Sequence, residues 1–225
     1  MKMFDPTVET RDTKEQFRLD RERYRQQMEY LFEHSAFYRE KLAGVGITGA
    51  DAAGTLDNIT DLPFTEKDEL RKTQAESPPF GAHLACDPNK LIRVFSTSGT
   101  TGVPCFIGLT RNDLDIYATN VARGYTAAGF TPDHRLVVGF NAGPFVAGAV
   151  YYGFDKIGCT VIPVGTGNTE RLVSSIQRLS ANGFSCTPSY ALYLIDWCHE
   201  RGVNSRTLGL KNIITAGEPR GANVR

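Results

Sequence analysis

From about residue 91 onward, short apolar runs alternate with stretches of helical periodicity, and this alternation constrains the fold more than any other feature. The apolar runs lie at residues 91–95, 136–140, 160–164, 184–187 and 212–215. The helical patterns lie at residues 112–127, 169–181 and 189–201. Strands that alternate with helices are typical of parallel sheets with helices on their faces. We therefore predict an α/β fold with a mostly parallel sheet and flanking helices.

The chain before this alternation has the pattern of a helical lead. Residues 13–16, Thr-Lys-Glu-Gln, fit a capping box at the start of a helix. Apolar residues then follow at helical spacing, namely Phe17, Tyr24, Met28 and Leu31. The clearest shift in composition lies at residues 77–81, Ser-Pro-Pro-Phe-Gly. We therefore predict a helical amino-terminal lead over residues 1–80 and an α/β portion over residues 81–225.

A loop rich in hydroxyl groups and glycine follows the first apolar run. Its residues are Ser96, Thr97, Ser98, Gly99, Thr100, Thr101 and Gly102. Glycine allows close backbone approach, and hydroxyl and backbone N–H groups donate hydrogen bonds to phosphate oxygens. The loop is not a Walker A motif, because Val103 and Pro104 stand where that motif has Lys and Ser or Thr. A phosphate-binding loop and an ordinary polar turn both remain open from these residues alone.

Four polar segments follow predicted strands. They are the loop at residues 96–102, residues 141–145, Thr187 with Pro188, and residues 216–219. Parallel sheets of this kind bind ligands outside the carboxyl ends of their strands. We therefore expect all four segments to lie on the same edge of the sheet and to form a site there.

Charge and hydropathy argue against several classes of protein. The 225 residues carry 25 Lys and Arg against 25 Asp and Glu, so neither a nucleic-acid partner nor a membrane surface is indicated. Residues 136–154 carry no charge, but Gly139, Gly143, Pro144 and Gly148 interrupt them. We expect a strand, a tight turn and a short buried helix there rather than a membrane span.

The five cysteines are odd in number, widely spaced and without a Cys-x-x-Cys motif. This pattern disfavours a disulfide framework and a zinc site, and it favours a reducing, cytoplasmic location. The four histidines show no ligand spacing, so we predict no metal site made by this chain's own residues.

Several segments resemble phenylacetate–CoA ligases, which belong to the adenylate-forming (AMP-binding) enzymes. The loop at residues 96–102, followed closely by Pro104, is similar to their phosphate-binding loop. The other similar segments occur in that family's order, at residues 34–39, 61–71, 167–171, 186–192 and 217–219. The resemblance covers the chain from about residue 20 to its last residue. It implies the large adenylation domain of the acyl-CoA synthetase and luciferase-like fold.

The resemblance implies AMP-forming ligation of an aryl, phenylacetate-like acid to coenzyme A through an acyl-adenylate, with ATP, Mg²⁺ and coenzyme A. The hydroxyl residues of the loop would donate to the β- and γ-phosphates, while Gly99 and Gly102 would allow the backbone to wrap around these phosphates. Gly217, Glu218 and Pro219 would flank the adenine ring. Mg²⁺ would carry most of the charge compensation.

The acid pocket is implied at the segment from residue 140 to residue 148. Phe140 and Phe145 are the candidate aryl contacts, with plain core packing as the alternative. Thr187, Pro188 and Tyr190 are candidates for the substrate cavity. Members of the family usually carry a Tyr-Gly pair where residues 141–144 are Asn-Ala-Gly-Pro, so the acid itself stays open. A helix N-cap at Ser189 is an equally good account of that serine.

The family's catalytic Lys and Mg²⁺-binding Glu are expected beyond this chain, so no catalytic residue is assigned within it. The superfamily commonly has a Lys just after the loop, where Val103 and Cys105 bring no charge. We interpret the chain as an amino-terminal half, inactive alone. An incomplete sheet would expose an edge and favour a homodimer or other self-association. The alternatives are adenylation with a different acceptor, such as a deazaflavin cofactor, and a non-catalytic nucleotide-binding module.

Overall fold

The computed structural model describes residues 2–97, 103–141, 143 and 146–219. The chain divides into two compact units, one of Pro6–Asn112 and one of Met1–Asp5 with Asp113–Arg225. The division at residue 80 that the sequence indicates stays a prediction.

The unit Pro6–Asn112 begins with helices. They are α1 (Pro6–Glu9), α2 (Thr13–His34), α3 (Ala36–Ala43) and α4 (Lys67–Glu76). Tyr24 and Met28 on α2 are buried against Leu42 and Ala53. The Tyr24 hydroxyl donates to the Ala53 carbonyl at 2.9 Å, which satisfies its polar end inside this small core. The helical lead predicted from the spacing of apolar residues is therefore present.

Helix α2 is capped by Asp12, which corrects the capping box expected at Thr13. The Asp12 carboxylate accepts from the backbone N–H groups of Lys14 and Glu15, and Thr13 is the first residue of the helix. An aspartate caps as well as a threonine does, and its charge is favoured at the positive end of the helix dipole. Asp12 is therefore the N-cap residue of α2.

The same unit ends in a two-stranded antiparallel hairpin of β1 (Leu91–Ser96) and β2 (Phe106–Thr110). This corrects two expectations, because the run at residues 91–95 is not part of the parallel sheet and β2 was not predicted. Only residues 97–105 connect the two strands. A parallel pair needs a crossover of a dozen or more residues, whereas an antiparallel pair accepts a short connection. The hydroxyl-rich loop is therefore part of a hairpin connection.

The second unit contains the predicted parallel sheet. Its strands are β3 (Arg135–Val138), β4 (Thr160–Pro163), β5 (Gly183–Cys186) and β6 (Asn212–Thr215). Their order in the sheet is β4-β3-β5-β6, and all three pairings are parallel. The four apolar runs after residue 130 are thus confirmed as parallel strands.

Helices cover both faces of this sheet. They are α5 (Arg111–Ala127), α6 (Val150–Ile157), α7 (Thr169–Arg178) and α8 (Pro188–Glu200). Leu136 and Val138 pack in one buried cluster with Phe154 of α6, whereas Val137 packs in another with residues of α7 and α8. Successive side chains of a strand point to opposite faces, so this alternation places helices on both sides.

The uncharged stretch at residues 136–154 contains β3, a short turn of 3₁₀ helix over Val146–Ala149 and the beginning of α6. It is thus divided into a strand, a turn and a short helix, as its glycines indicate. In the described part of the chain, no helix has both the length and the apolar character needed to cross a bilayer.

Candidate functional site

A connected set of polar contacts lies where β5 ends and α8 begins. Thr187 is the N-cap of α8, and its Oγ1 accepts from the backbone N–H of Tyr190 at 3.3 Å. Pro188 occupies the first helical position, where its missing N–H costs nothing and its fixed φ suits a helix. The cap expected as one alternative at Ser189 is therefore wrong, and the backbone N–H and hydroxyl of Ser189 are left to serve another partner.

That partner comes from the turn after β6, residues 216–219. The Ala216 N–H donates to the Cys186 carbonyl at 3.1 Å, which joins the turn to the end of β5. Gly217 has a φ of 89°, a conformation that side chains other than glycine rarely adopt. The Glu218 carboxylate then accepts from the Ser189 backbone N–H at 2.9 Å and from the Ser189 hydroxyl. The turn and the first turn of α8 are thus bonded to each other.

Hydrogen bonds and burial shift the pKa values of two groups at this junction. The Ser189 hydroxyl, the Ser189 backbone N–H and, to a lesser extent, the Thr187 hydroxyl lower the pKa of the Glu218 carboxyl. Burial raises the pKa of the Cys186 thiol to about 12, with a smaller contribution from the negative charge of Glu218. Glu218 is therefore an anion at neutral pH, and Cys186 is a neutral thiol beside it.

Tyr190 contacts both the start of α7 and the residue that follows β3. Its hydroxyl lies 3.1 Å from Thr169 Oγ1, at the start of α7. Its ring lies against Gly139, since a Cβ built on that glycine would be 3.3 Å from Tyr190 Cε1 and 3.0 Å from Phe184 Cε2. The residue after β3 must therefore be small for the Tyr190 ring to pack as it does.

Asn141 joins the segment after β3 to the segment after β4. Its Nδ2 donates to Thr166 Oγ1 at 2.9 Å, and its Oδ1 accepts from the Thr166 backbone N–H at 3.1 Å. Between β4 and Thr166, the Gly165 N–H donates to the Val138 carbonyl at 3.0 Å. Sequence reasoning assigned no role to Thr166, although a Gly-Thr-Gly run directly after a strand is a signal that could have indicated one.

The residues predicted to bind the acid pack in two different buried clusters. Phe140 packs with the cluster that includes Phe154, and its ring is 6.0 Å from that of Tyr151 in an edge-on arrangement. Tyr190 instead packs with the cluster of α7 and α8. Phe145 lies outside the described residues, as do Ala142 and Pro144. The roles of Phe140, Phe145, Thr187, Pro188 and Tyr190 in binding an acid stay predictions.

The hydroxyl-rich loop belongs to the other unit, and only its first two residues are described. Ser96 is the last residue of β1 and is buried. Thr97 closes the hairpin, because its N–H donates to the Cys105 carbonyl at 2.9 Å and its Oγ1 accepts from the Cys105 N–H at 3.1 Å. The remaining candidate phosphate contacts, Ser98, Gly99, Thr100, Thr101 and Gly102, lie outside the described residues.

Helix α4 holds this hairpin through two polar side chains. Arg71 Nε donates to the Val103 carbonyl at 3.1 Å, and the Arg71 side chain is only 18% exposed. Gln74 pairs with the backbone of Phe106, donating to its carbonyl at 2.7 Å and accepting from its N–H at 3.1 Å. Arg71 lies in one of the segments that resemble the family, but the sequence suggested no role for it.

The expectation that all four polar segments lie on one sheet edge needs correction. Three of the segments meet at one edge of the sheet, because they follow the carboxyl ends of parallel strands. They are Asn141 after β3, Thr187 with Pro188 after β5, and the turn at residues 216–219 after β6. The hydroxyl-rich loop follows a strand of the separate hairpin. Within the described ranges, no three His, Cys, Asp or Glu side chains converge to hold a metal ion.

Comparison with known proteins identifies the class. The chain is 36% identical over 218 residues to the phenylacetate–coenzyme A ligase of Thermus thermophilus, covering 96% of this chain and 48% of that protein. It is 33% identical over 193 residues to the Escherichia coli phenylacetate–coenzyme A ligase, covering 85% of this chain and 43% of that protein. No protein-family model matches the chain.

A solved structure agrees with these relatives. The crystal structure of 2-hydroxyisobutyryl-CoA ligase in complex with 2-HIB-AMP and CoA superposes with a TM-score of 0.88 at 30% identity, over 95% of this chain and 46% of that one. The fold is thus that of adenylate-forming acid–CoA ligases. Within that class, the chain belongs to the phenylacetate–CoA ligase-like enzymes. It spans about half the length of the relatives it matches.

Proposed function

We propose that the chain contributes the nucleotide- and acid-binding part of an AMP-forming acid–CoA ligase. In this reaction the acid carboxylate attacks the α-phosphate of ATP, which gives an acyl-adenylate and releases pyrophosphate. The thiol of coenzyme A then attacks the acyl carbon and releases AMP. The observation that carries the proposal is the pair of hydrogen bonds between Ser189 of α8 and Glu218 of the turn at residues 216–219. These bonds lie at the carboxyl ends of the parallel strands, in a chain whose relatives are ligases.

In the proposal, the nucleotide contacts fall into two groups. The hydroxyls of Ser96, Thr97, Ser98, Thr100 and Thr101 donate to the phosphates, with Gly99 and Gly102 allowing close approach. Thr97 is consistent with this role, since its backbone N–H and Oγ1 lone pair are used by Cys105 while its hydroxyl proton makes no bond among the described residues. Gly217, Glu218 and Pro219 flank the adenine ring. The tethered turn supports that assignment, because a fixed backbone offers a preformed surface for a flat ring.

The acid in the proposal is phenylacetate or a similar aryl acid. Thr187, Pro188 and Tyr190 line its cavity, with Phe140 and Phe145 as further aromatic contacts. The support is the aromatic group around Tyr190, whose ring is 6.3 Å from that of Phe184 and 6.0 Å from that of Tyr193. Aromatic rings add modestly to apolar burial when they meet edge-on or offset.

Mg²⁺ would supply charge compensation for the triphosphate. The described residues provide no carboxylate cluster for it, and Glu218 is already bonded to Ser189. We therefore assign it no protein ligand within the described part of the chain. Cytoplasmic location is also part of the proposal, supported by five cysteines that are all free thiols.

The chain alone is proposed to be inactive and to self-associate. β6 is an edge strand of the sheet, and its Ile213 is 55% exposed. An edge strand presents unpaired backbone groups to a second copy of the chain, and an exposed apolar side chain favours such pairing. Sedimentation at increasing concentration tests this, and a strictly monomeric chain would contradict it.

The proposal is tested by carboxylate-dependent exchange of pyrophosphate into ATP, with a panel of aryl and alkyl acids. The 225-residue chain is compared with the product of any longer reading frame that contains it, and reactions without acid are the control. Exchange in the longer product alone, strongest with an aryl acid, is the expected result. Exchange in the short chain would contradict its proposed inactivity. Nucleotide binding without exchange in either would contradict ligation and favour a non-catalytic module.

A further inference from the structure

We propose that a cleft beside α2 is a docking site for an extended acidic segment of a partner protein. The cleft has a volume of about 600 Å³ and lies between α2 and the segment of Gly54 and Thr55. Of the nine described residues that line this basic cleft, four are cations and one is a carboxylate. None of these nine is predicted to bind the nucleotide or the acid, so the proposal is independent of the ligase function.

The four cations lie on one face of α2. They are Lys14, Arg18, Arg21 and Arg25. At about 100° per residue, these positions fall within an arc of about 60° around the helix axis, and at about 1.5 Å rise per residue they form a row about 16 Å long. The chain as a whole has a formal net charge of zero. The row is therefore a local concentration of positive charge that attracts an extended anion.

Most of this row is available to a partner. Neither the Lys14 ammonium nor the Arg18 guanidinium forms a hydrogen bond or an ion pair within the described part of the chain. Arg21 pairs with Asp57 at 2.9 Å, and the two side chains are 58% and 68% exposed. Ion pairs as exposed as this one contribute little to stability, so a carboxylate of the partner can replace Asp57.

The single carboxylate of the cleft, Glu22, does not offset the whole row. Glu22 pairs with Arg25 at 2.8 Å, and the hydrogen bond and charge of Arg25 hold the pKa of the Glu22 carboxyl below its usual range. Glu22 is thus an anion whose charge is already engaged by Arg25, which also contacts Glu29. The excess positive charge of the basic cleft is therefore at Lys14 and Arg18.

The spacing of the cations fits the carboxylates of an extended peptide. Successive members of the row are separated along the helix axis by about 6, 4.5 and 6 Å. Alternate side chains of an extended chain point to the same side and lie about 6.6 Å apart. Acidic residues at alternate positions can therefore each meet one cation, and arginine donates two parallel N–H groups to a carboxylate. A compact polyphosphate is too short to reach the whole row.

Phe17 adds an apolar contact to the basic cleft. Phe17 is 57% exposed, although Tyr24, two turns further along the same helix, is buried. Exposed aromatic rings next to arginines are typical of protein interfaces. The partner segment is therefore expected to carry apolar residues beside its acidic ones.

The test measures, by calorimetry, binding of the 225-residue chain to the acetylated and amidated peptide Glu-Leu-Glu-Leu-Glu. The wild-type chain should bind this peptide and not Gln-Leu-Gln-Leu-Gln, and binding should weaken as salt screens the charges. Lys14→Glu with Arg18→Glu should weaken binding at least about tenfold, because two attractions become repulsions. Lys14→Gln with Arg18→Gln should weaken it less.

The matched control is Lys67→Glu with Lys72→Glu, which makes the same charge change at two exposed lysines of α4, outside the cleft. This control should bind the peptide as the wild-type chain does. Phe17→Ala should weaken binding of the Glu-Leu peptide about threefold, through lost apolar contact, and leave binding of Glu-Gly-Glu-Gly-Glu unchanged.

Three results would overturn the proposal. They are equal binding by the wild-type chain and the Lys14→Glu, Arg18→Glu variant, equal binding of the Glu and Gln peptides, and equal losses in the variant and in the α4 control. Tripolyphosphate that displaces the peptide at lower concentration than the unlabelled peptide itself would assign the cleft to compact phosphates and would also contradict the proposal. None of these measurements involves exchange of pyrophosphate into ATP, so their failure leaves the ligase function untouched.

Discussion

The side chain of Asn141 forms a two-bond pair with Thr166, bonding its hydroxyl at 2.9 Å and its backbone N–H at 3.1 Å. Asn141 follows β3 and Thr166 follows β4, so the pair joins two loops at the edge where the carboxyl ends of these parallel strands lie. The Asn141–Thr166 pair therefore holds the segment after β3 against the segment after β4.

Asn141→Ala should lower the free energy of unfolding by about 1 kcal/mol, since it removes both hydrogen bonds of the pair. Thr166→Val removes only the hydroxyl bond and should cost less. Because the two residues act on each other, the double variant should be less destabilised than the sum of the single variants. Denaturant titration of all four proteins measures this coupling. Strictly additive losses would show that the pair contributes nothing to stability.

The bonds between Ser189 and Glu218 should give the sheet edge a defined pH dependence. Hydrogen bonds to the ionised carboxylate place the folded-state pKa of Glu218 below the ordinary glutamate value of about 4.3. The stabilisation from these bonds is thus complete above that value and is lost as the pH falls through the lower folded-state pKa.

The backbone amide of Ser189 reports this titration directly by NMR. Its proton shift should stay constant at neutral pH and move, with a midpoint below about 4.3, as the carboxylate is protonated. Glu218→Gln should abolish that midpoint while leaving amides on α7 unchanged. A midpoint above the ordinary glutamate value would contradict the hydrogen bonds described here.

Cys186 should be inert towards thiol reagents in the folded chain. Its pKa is raised to about 12, first by burial and then by the charge of Glu218, so almost no thiolate exists at about pH 8. Cys86 is half-buried, whereas the other four cysteines are buried. Intact-mass measurement after brief iodoacetamide treatment should show one adduct, located at Cys86.

Glu218→Gln provides the control for this prediction. Because burial is the larger cause of the raised pKa, removing the charge should leave Cys186 unreactive. Rapid alkylation of Cys186 in the wild-type chain, or in Glu218→Gln, would show that the end of β5 is open to solvent.

Arg71→Ala should weaken the binding of ATP and of tripolyphosphate by the same factor, about five- to tenfold for loss of a charged hydrogen-bond donor. Arg71 bonds the carbonyl of Val103, the residue directly after the predicted phosphate loop. Arg71→Lys keeps the charge but lacks the planar guanidinium, so it should restore binding only in part.

The control for Arg71 is Arg21→Ala, which removes an exposed ion pair with Asp57 within the same unit and should leave binding unchanged. Calorimetry with ATP and with tripolyphosphate measures this effect in both variants. Unchanged tripolyphosphate binding in Arg71→Ala would contradict a role for α4 in holding the loop.

The parallel sheet was predictable because each of its strands is a compact apolar run followed by glycine or a polar segment. The hairpin was not. Residues Phe106–Thr110 are short and partly exposed, and Gly108 weakens a strand pattern. A Cβ built on Gly108 would lie 2.7 Å from Leu91 Cδ1, so this glycine is needed for close packing against β1, which only the pairing reveals.

The site was predictable in outline for a similar reason. Thr187 and Gly217 follow neighbouring parallel strands, so the topology rule places them together. The bond from Ser189 to Glu218 and the pair of Asn141 with Thr166 depend on strand order and on side-chain direction. Neither property is encoded in local sequence, so these contacts emerge only from the folded chain.

The central claim is that the edge formed by β5 and β6 binds the adenine ring, and photolabelling with 8-azido-ATP tests it most directly. Irradiation of the 225-residue chain, followed by peptide mapping, should place the label on residues 187–190 or 216–219. Excess ATP should suppress labelling. Label confined to other segments, or labelling that ATP does not suppress, would contradict the account.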